Sequence, residues 1–185
     1  MNQSIQKGAL LIAEPSILND VSFNRSVVLV AEHNQSGTVG FIVNKPLDFT
    51  LDELVTDINV SFTVFNGGPV EQDNLYFVHT VPHILPSSIE IADGIFWGGD
   101  FEMLTQAINN QQILKNQIRF FLGYSGWNFG QLEAEIKNKA WRTVKNEYKN
   151  QIFEKSATDF WRNVLLDLGG NYAIWSNAPE NPLMN

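Results

Sequence analysis

Cysteine is absent from this chain of 185 residues. That one absence removes disulfides, thiolate-bound zinc, iron–sulfur clusters and a thiol nucleophile, and it leaves the redox compartment open. Histidine is scarce too, with 3 residues. His79 and His83 have Pro82 between them, so their i, i+4 spacing does not become a shared helix face, and no metal site or other cofactor is expected. No apolar run approaches the roughly 20 residues of a membrane span. Met1 to Lys7 lacks the charged-then-apolar order of a leader, so a cytoplasmic protein without a membrane partner is expected. Cations are few in the first part of the chain: residues 1–114 hold three basic and 13 acidic side chains, against nine and seven in residues 115–185. The whole carries a net charge of −8, which repels a phosphate backbone and speaks against direct nucleic-acid binding. A basic strip from Lys137 to Lys149 is interleaved with Glu133, Glu135 and Glu147, and reads first as a solvated helix end and edge strand.

What is present suits one globular domain spanning 1–185, with its core over about 8–178. Gly8 to Ala13 reads as an apolar strand stopped by Pro15, followed by a loop anchored by Phe23. Ser26 to Glu32 is apolar without alternation, the pattern of a central strand buried on both faces. A five-residue loop, His33 to Gly37, then leads to an antiparallel partner, Thr38 to Asn44. Thr50-Leu51-Asp52-Glu53 has the form of a capping box and predicts a short helix to about Ile58. Strands follow at Ser61 to Phe65 and Leu75 to His79, with a hairpin around Asp93-Gly94. Asp100 opens a helix, Phe101 to about Gln111, that places Leu104, Ala107 and Ile108 on one face. Ala140 to Val144 reads as a strand and Asp159 to Leu168 as a last helix, stopped by Gly169-Gly170. Residues 145–155 are ambiguous, and the tail from Asn171 reads as irregular.

The chain is organised around Gly123-Tyr124-Ser125-Gly126-Trp127-Asn128-Phe129-Gly130-Gln131-Leu132-Glu133-Ala134-Glu135-Ile136, closed off by Trp141. Residues 117–122 read as a buried strand that ends at a Gly-x-x-Gly turn. A helix follows, with Asn128 as its cap, Gln131 as the reciprocal partner, and Phe129, Leu132 and Ile136 on its buried face. Glycine at 123, 126 and 130 allows backbone to come close to something at this junction.

This stretch resembles the bacterial AlgH/YqgE family. So do Gly8 to Pro15, Asp20, Phe23, Arg25 to Val28, Glu32-His33, Asn44-Lys45-Pro46 and Gly67 to Val70, while the ending from Trp161 to Pro179 is similar to Bacteroidetes members. The resemblance spans about residue 8 to Asn181. It implies an α+β fold: a curled, bifurcated, mostly antiparallel sheet forming a pseudo-barrel, with about four helices packed around it. Members are labelled transcriptional regulators, with no catalytic residues to carry over.

Ser125 sits in a sequence like a nucleophile elbow, but Trp127 replaces the second glycine, so no catalytic role is assigned to it. Gly67-Gly68-Pro69 and Gly98-Gly99-Asp100 are candidate anion nests; Asp100 at a helix start reads better as a cap. The reading favoured is a binding or regulatory protein rather than an enzyme, with an unknown protein or small-molecule partner and an oligomeric state left open. Its candidate contact residues are Glu32, His33, Asn44, Tyr124, Trp127, Gln131 and Glu135. The first alternative is an enzyme acting on a small anionic or nucleotide-like substrate, using His33 with Glu32 or Glu135 for proton transfer. The second is a nucleic-acid binder using the Lys137–Lys149 strip.

Overall fold

The apolar runs are too hydrophobic to stand alone in water, and they are satisfied by pairing into one sheet with helices over its faces. The structure is a computed structural model that describes residues 4–154 and 159–178. In chain order its elements begin with β1 (Leu10–Ala13), a 3-10 turn at Pro15–Ile17, β2 (Val27–Asn34), β3 (Gly37–Ile42), β4 (Pro46–Thr50) and α1 (Leu51–Leu54). Next come β5 (Thr63–Asn66), β6 (Val70–His79), β7 (Ile89–Ala92), β8 (Ile95–Trp97) and α2 (Phe101–Asn109). The chain continues through β9 (Ile118–Trp127), α3 (Gln131–Lys137), β10 (Trp141–Val144), α4 (Lys149–Phe153), α5 (Phe160–Leu168) and α6 (Asn171–Trp175).

The strands form a ten-stranded sheet in the order β10-β1-β2-β3-β9-β6-β8-β7, with β5 branching from β9 and β4 from β5. Every pairing is antiparallel except β5 with β9. The sheet curls far enough that Gly8, just before β1, lies against Ala92 of β7. No ladder joins β7 to β10 among the described residues, so the sheet is open rather than a barrel. The described helices number six, and α1, α4 and α6 are only four or five residues long.

β9 is the hub. Its first half pairs with β5 through Val64↔Phe120 and with β6 through Phe77↔Phe120, and its last residues pair with β3 through Thr38↔Trp127. Strand therefore runs straight through Gly-Tyr-Ser-Gly, where the sequence predicts a turn. The glycines serve the handover between partners. Gly123 takes φ +70, and a Cβ there would lie 2.6 Å from the Gly68 oxygen and 2.8 Å from that of Val70. Alternate residues of β9 feed two cores, Phe121 joining a large one with β1–β3 and α5, Phe120 a smaller one with α2.

Other expectations are corrected in the same way. The β2–β3 loop is only Gln35-Ser36, because pairing continues to Asn34↔Gly37 past a bulge between Val30 and Glu32. The helix after Thr50 lasts one turn. Phe129 precedes α3 and is 70% exposed, and the helix starts after Gly130, whose φ is +78. Asn128 is thus no side-chain cap, although its N–H does donate to Gln131 Oε1 at 3.0 Å. Residues 145–155 contain α4, and the tail contains α6. Residues 155–158, just before the predicted last helix, and the tail beyond Ala178 lie outside the described residues.

Candidate functional site

Glu135 organises the motif. As an α3 residue it faces both β9 and β10, and its Oε2 accepts the indole N–H of Trp127 at 2.8 Å and that of Trp141 at 2.9 Å. Its Oε1 accepts from Gln131 Nε2 at 2.9 Å. The two indoles meet edge to face with centroids 5.7 Å apart, and Phe23 stacks on Trp127 and meets Trp141 edge-on. The spacing of the motif is thereby explained: one carboxylate ties two strands and a helix through three N–H donors. Trp127 is 5% exposed and Tyr124 half-buried, held edge-on by Tyr76.

On the outer side of this clamp lies an open groove of about 350 Å³, lined by Glu32, Asn34, Thr38, Tyr124, Trp127, Asn128 and Gln131 among others. Gly37, at φ +129, lets the tight β2–β3 turn press against the carbonyl of Trp127, which brings the hairpin end to the β9–α3 junction. Four of the seven residues picked from the sequence, Glu32, Tyr124, Trp127 and Gln131, share the groove. Glu135 stands behind Trp127 with both oxygens engaged. His33 is beside the groove rather than in it: Nδ1 bonds Thr38 Oγ1 at 2.8 Å, and Nε2 lies 3.8 Å from Glu133, not near Glu135. Asn44 belongs elsewhere. Its amide accepts from Val27 N–H and donates to the Arg25 carbonyl, both at 2.8 Å, on the edge of a separate basin of about 880 Å³ that also holds Lys45 and Arg162.

Asn34, Ser36, Thr38 and Asn128 also line the groove, and no local pattern in the sequence marks them. For the first three the signal is the hairpin itself: with the short loop recognised, the hairpin end falls opposite the Gly126-Trp127 end of β9, and Asn128 follows Trp127 directly. Glu32 Oε1 accepts from Asn34 Nδ2 at 2.8 Å, so the groove's one acid is held in place. No lysine or arginine is part of the lining.

The other residues weighed from the sequence have their polar atoms partnered within the fold. Ser125 is fully buried and donates to the Gly67 carbonyl at 3.1 Å. His79 is also fully buried, with Nε2 3.0 Å from the Gly98 carbonyl and Nδ1 accepting from Val81 N–H at 3.2 Å, an arrangement that needs the neutral ring. Burial pushes its pKa down, against a smaller upward pull from the Gly98 bond. Asp100 caps α2 through Met103 N–H at 2.9 Å, as the sequence predicts. Among the described residues no three metal-ligating side chains cluster, and no helix is long and apolar enough to cross a membrane.

Comparison with known proteins agrees with this architecture. A family model described as AlgH-like matches residues 10–173. A UPF0301 protein of Chlorobaculum tepidum is 38% identical over 182 residues, covering 98% of this chain and 96% of that protein. One from Cytophaga hutchinsonii is 40% identical over 183 residues, covering 98% and 100%. The solution structure of the AlgH protein from Pseudomonas aeruginosa superposes with a TM-score of 0.71 at 26% identity, covering 97% of this chain and 98% of that one. Protein DIP2367 of Corynebacterium diphtheriae, at 20% identity, shares the fold with a TM-score of 0.78 over 96% and 94% of the two chains. With sequence and fold matching over nearly its whole length, the chain belongs to the AlgH-like, or UPF0301, family of uncharacterised proteins.

Proposed function

We propose that this is a cytosolic binding protein with a regulatory role, and that its groove between the β2–β3 turn and the β9–α3 junction receives a small polar ligand, neutral or cationic, or a partner side chain of that kind. The observation that carries the reading is the groove's chemistry: one fixed carboxylate, Glu32, several amides and hydroxyls, and no cation. Such a lining matches hydrogen-bond donors and positive charge, and it disfavours an anion. An enzyme reading finds less support. The seryl hydroxyl is buried, the Glu135 oxygens are taken by three donors, and His33 is tied through Nδ1 to Thr38, with Nε2 3.8 Å from Glu133 and no reach to Glu135 within ion-pair distance. The acidic whole supports an effect on transcription, where there is one, through a partner rather than through DNA.

A thermal-shift panel of primary amines, polyols and carboxylates of matched size tests this. Amines or polyols should stabilise the wild type by about 2.7 kcal/mol at a hundredfold excess over their dissociation constant, and Glu32→Gln should remove the response to amines. Stabilisation by the carboxylates with unchanged response in Glu32→Gln would contradict it.

A further inference from the structure

Arg119 is the one charged residue in the β9 run that forms the middle of the sheet, and it is 4% exposed. It lies two residues from Phe121 and so on the same face of the strand, at the margin where α4 crosses. Its guanidinium stacks over Phe65, 4.0 Å from the ring centroid, and donates to two main-chain oxygens, those of Val43 and Glu154. Those bonds use two of five donors, and both acceptors are neutral. No carboxylate among the described residues lies within ion-pair distance of it. A buried cation with no carboxylate in contact is costly. Burial accordingly pulls its pKa down to about 9, with the nearby Glu154 charge opposing.

Beside this cation the structure has a cleft of about 270 Å³ between β5, the start of β9 and the end of α4. Its walls are Phe62, Phe65, Ile118 and Phe153, all nearly fully buried, and its second cation, Lys115, stands over the Phe62 ring at 5.9 Å. The cleft differs in chemistry from the acidic groove: two cations, one exposed acid (Glu154), and otherwise mostly hydrocarbon. A planar guanidinium fork donates two parallel N–H bonds to a carboxylate, and the volume is at the small end of ligand pockets.

We propose that this cleft binds a small amphipathic monocarboxylate, its head on Arg119 with Lys115 at the mouth, and its alkyl or aryl body against the Phe62, Phe65, Ile118 and Phe153 side chains. The site is separate from the groove and does not depend on it.

The test is an NMR titration of the full chain with octanoate, octanol and octylamine, following the Ile118 methyls and the Phe62 and Phe65 rings. Octanoate should move these signals and bind at least tenfold more tightly than octanol or octylamine, leaving the Gly126 and Gln131 amides of the groove in place. Arg119→Gln should lose at least tenfold in octanoate affinity while its octanol affinity stays the same, and Lys115→Gln, at an exposed position, should lose a few-fold. Equal affinities for octanoate and octanol in the wild type would overturn the proposal, as would shifts that leave the cleft signals unmoved. That comparison decides the matter even where Arg119→Gln does not fold.

Discussion

Glu135 is the residue on which the family motif converges, because it alone accepts from Trp127, Trp141 and Gln131. Truncating it leaves two largely buried indole N–H groups without an acceptor. Glu135→Ala is expected to lower unfolding free energy by about 3 kcal/mol, the scale of hydrogen bonds to charged groups and of orphaned buried donors; urea denaturation measures it, and a loss within the ±0.5 kcal/mol or so of a neutral surface change would contradict the clamp. Phe129→Ser offers the contrast, since that ring is 70% exposed and its replacement should stay within about 0.5 kcal/mol of wild type. His79 gives a pH signature. Its pKa is lowered in the folded chain by burial, while the unfolded chain takes up a proton near the ordinary 6.5. The unfolded state therefore binds more protons between those values, so stability is fully present above pH 6.5 and falls as the pH drops towards the folded value. Protonation would also set an N–H against the Val81 N–H. His79→Gln should flatten this part of the stability profile, and an unchanged slope would show that another group controls it.

At the scale of elements, β9 carries the architecture, and it does so through backbone contacts that side-chain patterns do not announce. Gly123→Ala forces a Cβ into the Gly68 and Val70 oxygens at a positive φ, so it should destabilise by roughly 1–3 kcal/mol from strain with added steric cost, visible as a lowered urea midpoint. A stability equal to wild type would mean the strand does not hand over there. The same point explains what was legible in the sequence. Val27 to Ala31, apolar and fully buried, announced β2; Leu104, Ala107 and Ile108 announced the buried face of α2, and Asp100 its cap. Gly-Tyr-Ser-Gly read as a turn because glycine marks turns locally, whereas here it marks the close approach of β6 to β9, a long-range fact. The groove was half legible: Trp127 and Gln131 stood out by composition, while Asn34 and Thr38 became neighbours only through the register of a two-residue hairpin turn. Asn44, an expected contact residue, joins Val27 to Arg25 through its amide and lies at another basin. Arg119 left a signal that pattern reading passes over, a single arginine within a buried strand.

For the whole molecule, charge and curvature set what can be bound and where. The net −8 predicts that a DNA probe is not shifted at physiological salt, and a salt-dependent shift lost on neutralising Lys137, Lys139 and Lys145 would restore the nucleic-acid reading. The open, curled sheet leaves concavities at its rims rather than a lumen, one polar and acidic by the hairpin turn, one apolar and basic under α4. The polar one is the proposed binding site. Its most direct test is an amide NMR titration of the wild type with the amine or polyol that gives the largest thermal stabilisation. Saturable shifts should concentrate at Asn34, Gly37 to Val39 and Gly126 to Gln131, and Glu32→Gln should abolish them for an amine. Shifts that saturate elsewhere on the surface, with these amides unmoved, would contradict it.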